Sequence, residues 1–240
     1  MRLHKFISRS GVASRRKAEI MISEGRVTVN SEIIKNMGMT IDPEIDNVAV
    51  DGKPIGILPI KWVKVNKPKG FLTTAKDDRG RPVLYDLLPN DMRSLRYVGR
   101  LDYLTEGLLI LTNDGDAANR LQHPRYGIER EYEVTVEQEL SKPVLERLRA
   151  GVELDDGFAR PSTVEIDRNK DNSLKNLRLV LKEGRNREVR RLFEKLNFTV
   201  SRLIRVRFGE IKLPPHLKRG MHLELSQKDV KETYMSFFCS

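Results

Sequence analysis

Cysteine is all but missing from this chain of 240 residues, with Cys239 the one thiol. That excludes an intrachain disulfide framework and a thiolate metal cage, and it suits a reducing, cytoplasmic setting. The four histidines, His4, His123, His216 and His222, are too scattered to offer ligand spacing. Neither a metal nor an organic cofactor is expected. Long hydrophobic runs are also missing. No uninterrupted apolar stretch approaches the length needed to cross a bilayer, and the start lacks the apolar core of a signal peptide, so no membrane role is expected. Acids are absent from the first eighteen positions, which carry Arg2, Lys5, Arg9, Arg15, Arg16 and Lys17.

What is present is basic charge. Lys and Arg number 44 against 34 acids, a net of +10. A second basic cluster runs from Lys182 to Arg207 and contains Arg185, Arg187, Arg190, Arg191, Arg202 and Arg205. An excess so distributed points to a polyanionic partner, the alternative being a solvated face that serves only solubility. Hydrophobic residues at 39% of the chain are enough to build a core.

Residues 1 to 60 read as a small module. Leu3, Phe6 and Ile7 share a helical face, Ser14 is a fitting N-cap for a second helix through Ala18 and Ile22, and Gly25 ends it. Val27 and Val29 alternate with polar residues before an Asn30-Ser31 turn, and Val48 to Val50 precede an Asp51-Gly52 turn. The run LHKFISRSGVASRRKAEIMISEGRVTVN resembles the S4 RNA-binding domain. The resemblance implies that Arg9, Arg15, Arg16 and Lys17 meet RNA.

Ile55 to Ile60 read as a tether, and a larger unit follows over 61–240. Trp62 to Val65 alternate as a strand, Asn66 to Gly70 form a turn, and Pro82 to Leu88 suggest a short helix. A brief helix is expected around Ala117 to Leu121, a strand through Tyr132, Val134 and Val136, and a helix from Ser141 to Gly151. Leu177 to Leu181 form another strand, Arg187 to Leu196 a basic helix, and Val200 to Val206 with Glu210 to Leu213 the closing strands. Strands outnumber helices and most neighbours can pair antiparallel, so the fold class is α+β.

The most informative stretch is GRLDYLTEGLLILTNDG, residues 99 to 115. A β-prone lead-in breaks at Asp102, and a second apolar run ends in a polar turn. A strand that stops at an aspartate and returns as a strand holds that carboxylate on a rigid lip. Glu106, four positions on, raises a rival reading as a carboxylate pair for glycoside hydrolysis, which needs a fixed separation across the sugar. The reading preferred for Glu106, and for Thr105, is bracing of the loop through hydrogen bonds.

The same stretch resembles the catalytic signature of pseudouridine synthases of the RsuA type. The resemblance covers nearly the whole chain, and it implies a catalytic domain with a mixed, mainly antiparallel sheet flanked by helices. It makes Asp102 the essential residue, acting as nucleophile on the sugar or base or as a base toward a sugar proton. EGRNREVRRLF, residues 183–193, resembles a further family motif, which implies that Arg190 pairs with Asp102 and that Val189 packs beside it. Arg185, Arg187 and Arg191 are then left for phosphates. REYEV, residues 130–134, resembles the motif whose tyrosine stacks on the target base, so Tyr132 is the aromatic of the site. Arg100 matches a basic residue that fills the gap left by a flipped nucleotide. Lys67-Pro68-Lys69-Gly70 resembles the KPxG motif, which shapes the wall around the tyrosine and brings Lys67 to the RNA. The sequence departs from the pattern at Tyr103-Leu104, where a polar pair is more usual.

Within the type, EGRNREVRRLFE and VSRLIRVRFGEIKLP resemble RluB-type enzymes of large-subunit ribosomal RNA. The expectation is a monomeric synthase acting on 23S rRNA. The alternatives are a non-catalytic rRNA-binding assembly protein and a synthase for small-subunit rRNA.

Overall fold

A computed structural model of the chain describes residues 1–167 and 174–238, and Cys239 lies outside the described residues. The chain divides into two compact units, Met1–Ile60 and Lys61–Ser240. No helix among the described residues is long and apolar enough to cross a membrane.

In the first unit, helices α1 (Leu3–Arg9) and α2 (Arg15–Ser23) pack on a sheet of β1 (Val27–Val29), β2 (Glu32–Ile33), β3 (Val48–Val50) and β4 (Lys53–Ile55). The strand order is β2-β1-β3-β4, antiparallel throughout. Ser14 caps α2 by accepting from the Lys17 amide, which satisfies a donor the helix itself leaves free. The hairpins turn at Asn30-Ser31 and Asp51-Gly52, each with two consecutive positive φ values, the geometry that matches strand twist in a two-residue loop. Leu3, Phe6, Ile7, Ala18 and Ile22 meet Val27, Val29, Val48 and Val50 in one core. That burial turns Arg15, Arg16 and Lys17 outward, while Arg9 is half-buried. The expected tether is shorter than its sequence suggests, because Ile55 belongs to β4.

The second unit opens with β5 (Trp62–Lys67), a 3-10 turn at Leu84–Leu87, β6 (Arg96–Val98), β7 (Glu106–Thr112) and α3 (Gly115–Gln122). Then come β8 (Arg130–Val136), α4 (Lys142–Ala150), the hairpin of β9 (Val152–Leu154) and β10 (Gly157–Ala159), β11 (Thr163–Ile166) and β12 (Asn176–Leu181). Helix α5 (Glu188–Lys195), β13 (Val200–Phe208), β14 (Ile211–Lys212), β15 (His222–Glu224) and α6 (Gln227–Phe238) complete it. The main sheet runs β11-β12-β8-β13-β7-β5-β15, with β6 on β7 and β14 on β13. Among the described strands only the β13–β7 pair is parallel.

Two differences from the sequence reading have simple causes. Pro82 to Leu88 close as a 3-10 turn, since Leu72 hydrogen-bonds on both sides of Val83 and fixes it as extended chain. Asn66 and Lys67 continue β5 instead of turning, because they pair with Leu108 and Gly107 of β7. The alternation in β8 holds to the end. Arg130, Tyr132, Val134 and Val136 face inward against α4 and α5, and Glu131, Glu133 and Thr135 face the other side.

Candidate active site

Strand β6 stops at Val98, Gly99 turns the chain with φ at +69°, and β7 begins at Glu106. The segment between them is held by its own carbonyls. Leu101 O accepts from Thr73 Oγ1 at 2.7 Å, Tyr103 O from the Gly70 amide at 2.8 Å, and Leu104 O from Arg190 Nη2 at 3.1 Å. The Lys67 ammonium spans the rest, donating to Asp102 O at 3.1 Å, Thr105 O at 2.8 Å and Pro68 O at 3.0 Å. Five consecutive carbonyls, from residue 101 to 105, are thus satisfied from outside the segment. An irregular loop with every acceptor occupied has few alternative conformations.

The Asp102 side chain lines a cleft of about 360 Å³. Tyr132 of β8 lines it too, Leu181, Val189 and Leu203 supply apolar surface, and the exposed Arg100 is also part of its lining. Arg130, Arg205 and Glu188 also line it. Burial pushes the Glu188 carboxyl up, and it accepts from the Arg185 amide at the start of α5. A cleft lined by a carboxylate, an aromatic ring, apolar side chains and guanidinium groups can hold a flat polar heterocycle and exchange charge with it.

Several expected roles come out differently. Arg190 is buried and donates to Val200 O at 2.9 Å and to Leu104 O, not to the Asp102 carboxylate. On α5 it lies one position beyond Val189, toward the start of β13, so it grips the backbone of the Asp102 loop from behind. Burial lowers its affinity for the proton and the negative field of Asp102 opposes that. Lys67, expected at RNA, has no exposed surface, and its three donors are all used on carbonyls. Its place at the end of β5, paired across from Gly107, turns it inward.

The basic cluster is also more internal than its sequence suggests. Arg191 grips Asp156 with both terminal nitrogens at 2.8 Å, and Arg185 reaches Gly157 O and Phe158 O at 3.0 Å. Together they fasten the β9–β10 hairpin to α5. Arg187, at the helix start with φ at +48°, pairs with Glu194 at 2.8 Å. Glu106 does not share the cleft with Asp102. It lies buried on β7 between Arg202 Nε at 3.3 Å and Arg219 Nε at 2.9 Å, which rules out the glycoside-hydrolysis pair. Thr105 gives its backbone to the loop, while its hydroxyl is buried without a partner.

Three further residues matter to the site. Period-two alternation from Tyr132 and Leu203 leads to Arg130 and Arg205, though the charge of both argues for the surface. Thr73 carries no signal, since its partner at Leu101 lies 28 positions away.

Comparison with known proteins agrees with this geometry. Residues 61–195 match the RNA pseudouridylate synthase family, and residues 1–44 match the S4 domain. The chain belongs to the RNA pseudouridine synthases. It is thus an isomerase. The synthase is 42% identical over 236 residues to an uncharacterized RNA pseudouridine synthase of Aquifex aeolicus, covering 98% of this chain and 94% of that one. It is 38% identical over 237 residues to the ribosomal large subunit pseudouridine synthase B of Bacillus subtilis, covering 96% and 94%. The protein of that name from Pseudomonas aeruginosa is 42% identical, and there the synthase spans 60% of the relative's length. A pseudouridylate synthase crystal structure superposes with a TM-score of 0.68 at 28% identity, over 96% of this chain and 98% of that one.

Proposed function

We propose that this synthase isomerises a specific uridine of 23S ribosomal RNA, with Asp102 as the reacting carboxylate and Tyr132 as the surface on which the flipped base rests. The observation that carries the reading is the Asp102 loop. Its main chain is clamped at five carbonyls, and Asp102 lines a cleft that Tyr132 also lines. A structural aspartate would need no such clamp. Breaking the N1–C1′ bond and rejoining the base through C5 needs a carboxylate held at a fixed distance from the sugar, and Asp102 meets that need as nucleophile or as base. A base taken from its stack loses a few kcal/mol, about what an aromatic face returns. Arg100 at the rim reaches the gap in the RNA, while Arg9, Arg15, Arg16 and Lys17 dock the first unit on phosphates. All these residues lie on one chain, in keeping with action as a monomer. The large-subunit substrate rests on the names of the relatives from Bacillus subtilis and Pseudomonas aeruginosa.

Mapping pseudouridine across ribosomal RNA from cells with and without the synthase tests this. One or a few 23S positions should lose the modification and regain it with the wild-type chain but not with Asp102→Asn. Loss confined to 16S rRNA, or no loss at all, would contradict the reading.

A further inference from the structure

Two arginines of the cleft have no acidic partner. Arg205 is 2% exposed. Its Nε donates to Leu108 O at 2.9 Å, it faces the Tyr132 hydroxyl, and its Nη2 is buried with no partner. Arg130 is 7% exposed, and its Nη1 donates to Ile128 O at 2.9 Å and Lys182 O at 3.0 Å. Both guanidinium groups lie over the ring of Phe208, at 4.8 Å for Arg130 and 5.0 Å for Arg205. Among the described residues neither forms an ion pair within 4.0 Å. Several other arginines do, as Arg191 shows with Asp156 and Arg207 with Glu131. Among the described residues the carboxylate whose field reaches Arg130 is Glu188, which makes no ion pair with it within 4.0 Å.

Two buried cations in one wall without an ion-pair partner are unfavourable for the folded chain alone. They become favourable when the cleft holds an anion. Resting on the reading of this cleft as the isomerisation site, we propose that Arg130 and Arg205, stacked on Phe208, form a fixed cationic wall that stabilises the pyrimidine base as an anion while it is detached from the sugar.

The chemistry supplies that anion. When the N1–C1′ bond breaks, its electron pair stays on N1 and spreads over the O2 and O4 carbonyls. C1′ is satisfied either by a bond to the Asp102 carboxylate or by loss of the 2′ proton to it. The base loses its negative charge when C5 bonds to C1′, as the Asp102 carboxylate is released from C1′ or returns the proton to C2′. The C5 proton then leaves to water while N1 takes one up, which gives the neutral product. Charges already in place in a low-dielectric wall need no reorganisation at the moment of cleavage, and they favour the anionic base over the neutral nucleotide that binds first.

The inference is tested without turnover by two free pyrimidines. One is uracil, neutral at neutral pH, and the other is 5-nitrouracil, whose nitro group makes it acidic and whose absorption changes on ionisation. The wild-type synthase should bind 5-nitrouracil about tenfold or more tighter than uracil and lower its titration midpoint by about one unit or more. Arg205→Met should erase both effects and leave uracil affinity within about twofold, while Arg205→Lys, which keeps the charge, should retain much of the shift. Should Arg205→Met fail to fold, Arg130→Met carries the same comparison and should reduce the shift. A wild-type chain without anion preference, or a preference that survives both neutral substitutions, overturns the proposal. Tritium release from rRNA labelled at C5 of uridine, run alongside, keeps the two readings apart. Release without anion preference removes only the cationic wall, whereas preference without release removes the isomerase reading.

Discussion

At Lys67 one side chain does what several would otherwise share, because its ammonium bridges the carbonyls of Asp102, Thr105 and Pro68. Burial pushes its pKa down from 10.5 to about 8, while Asp102 and Glu106 oppose the loss of the proton. The two consequences have opposite signs. The unfolded chain keeps this proton up to about 10.5, so between about 8 and 10.5 it binds more protons than the folded chain. Folding stability from this group therefore rises with pH through that window. Over the same window the loop loses its charge-assisted hydrogen bonds, so the single-turnover rate should fall above about pH 8 while the urea midpoint does not. Lys67→Met should remove both pH effects and lower the rate about 10²-fold through misplacement of the carboxylate, with RNA affinity little changed. A variant with wild-type rate would show that the clamp is dispensable. The placement of Asp102 between two strands and of Tyr132 on the inward face of a strand was legible in the sequence, because both sit in recognisable local patterns. The placements of Lys67, Arg190 and Arg205 were not, because a buried cation is defined by carbonyls brought from distant segments and not by its neighbours in the chain.

The regular elements were legible wherever a period was long enough to read. Strand β8, helix α4 and strand β12 alternate or repeat over six residues or more, and α2 carries its own cap. The β9–β10 hairpin and β15 are strands of three residues each, too short for a pattern, and they owe their form to the partners they meet. The position of β13 between β8 and β7 was hidden for the same reason, since its parallel pairing joins Ile204 to Glu106 across nearly a hundred residues. That pairing depends on Gly107. Its φ is +103°, and a Cβ there would lie 2.3 Å from Arg205 O. Gly107→Ala should therefore force β7 away from β13, through backbone strain and overpacking together worth about 2–5 kcal/mol. Because Asp102 hangs from the start of β7, activity should fall with stability. Urea denaturation and circular dichroism read this directly, and a variant of unchanged stability would mean that the pairing yields more easily than its geometry implies.

For the molecule as a whole, the proposed reading puts chemistry and docking in different units. The first unit has its own core and carries Arg2, Lys5, Arg9, Arg15, Arg16 and Lys17, whereas Asp102, Tyr132 and the clamp of Lys67 and Arg190 belong to the second. Each phosphate neutralised contributes about 0.7 to 0.9 to the slope of log affinity against log salt. Deleting residues 1–60 should therefore weaken rRNA binding and flatten that slope by about two to four units, with turnover preserved at high RNA concentration. A slope unchanged by the deletion would make the basic helix pair a solvated face. The central claim is that the clamped carboxylate of Asp102 performs the isomerisation. Its most direct test is tritium release from C5-labelled 23S rRNA by the purified full-length chain and its Asp102→Asn variant, which removes the charge but hardly any volume. The account predicts release by the wild-type chain and none by the variant, with RNA affinity of the two within several-fold. Release by Asp102→Asn at the wild-type rate would contradict it.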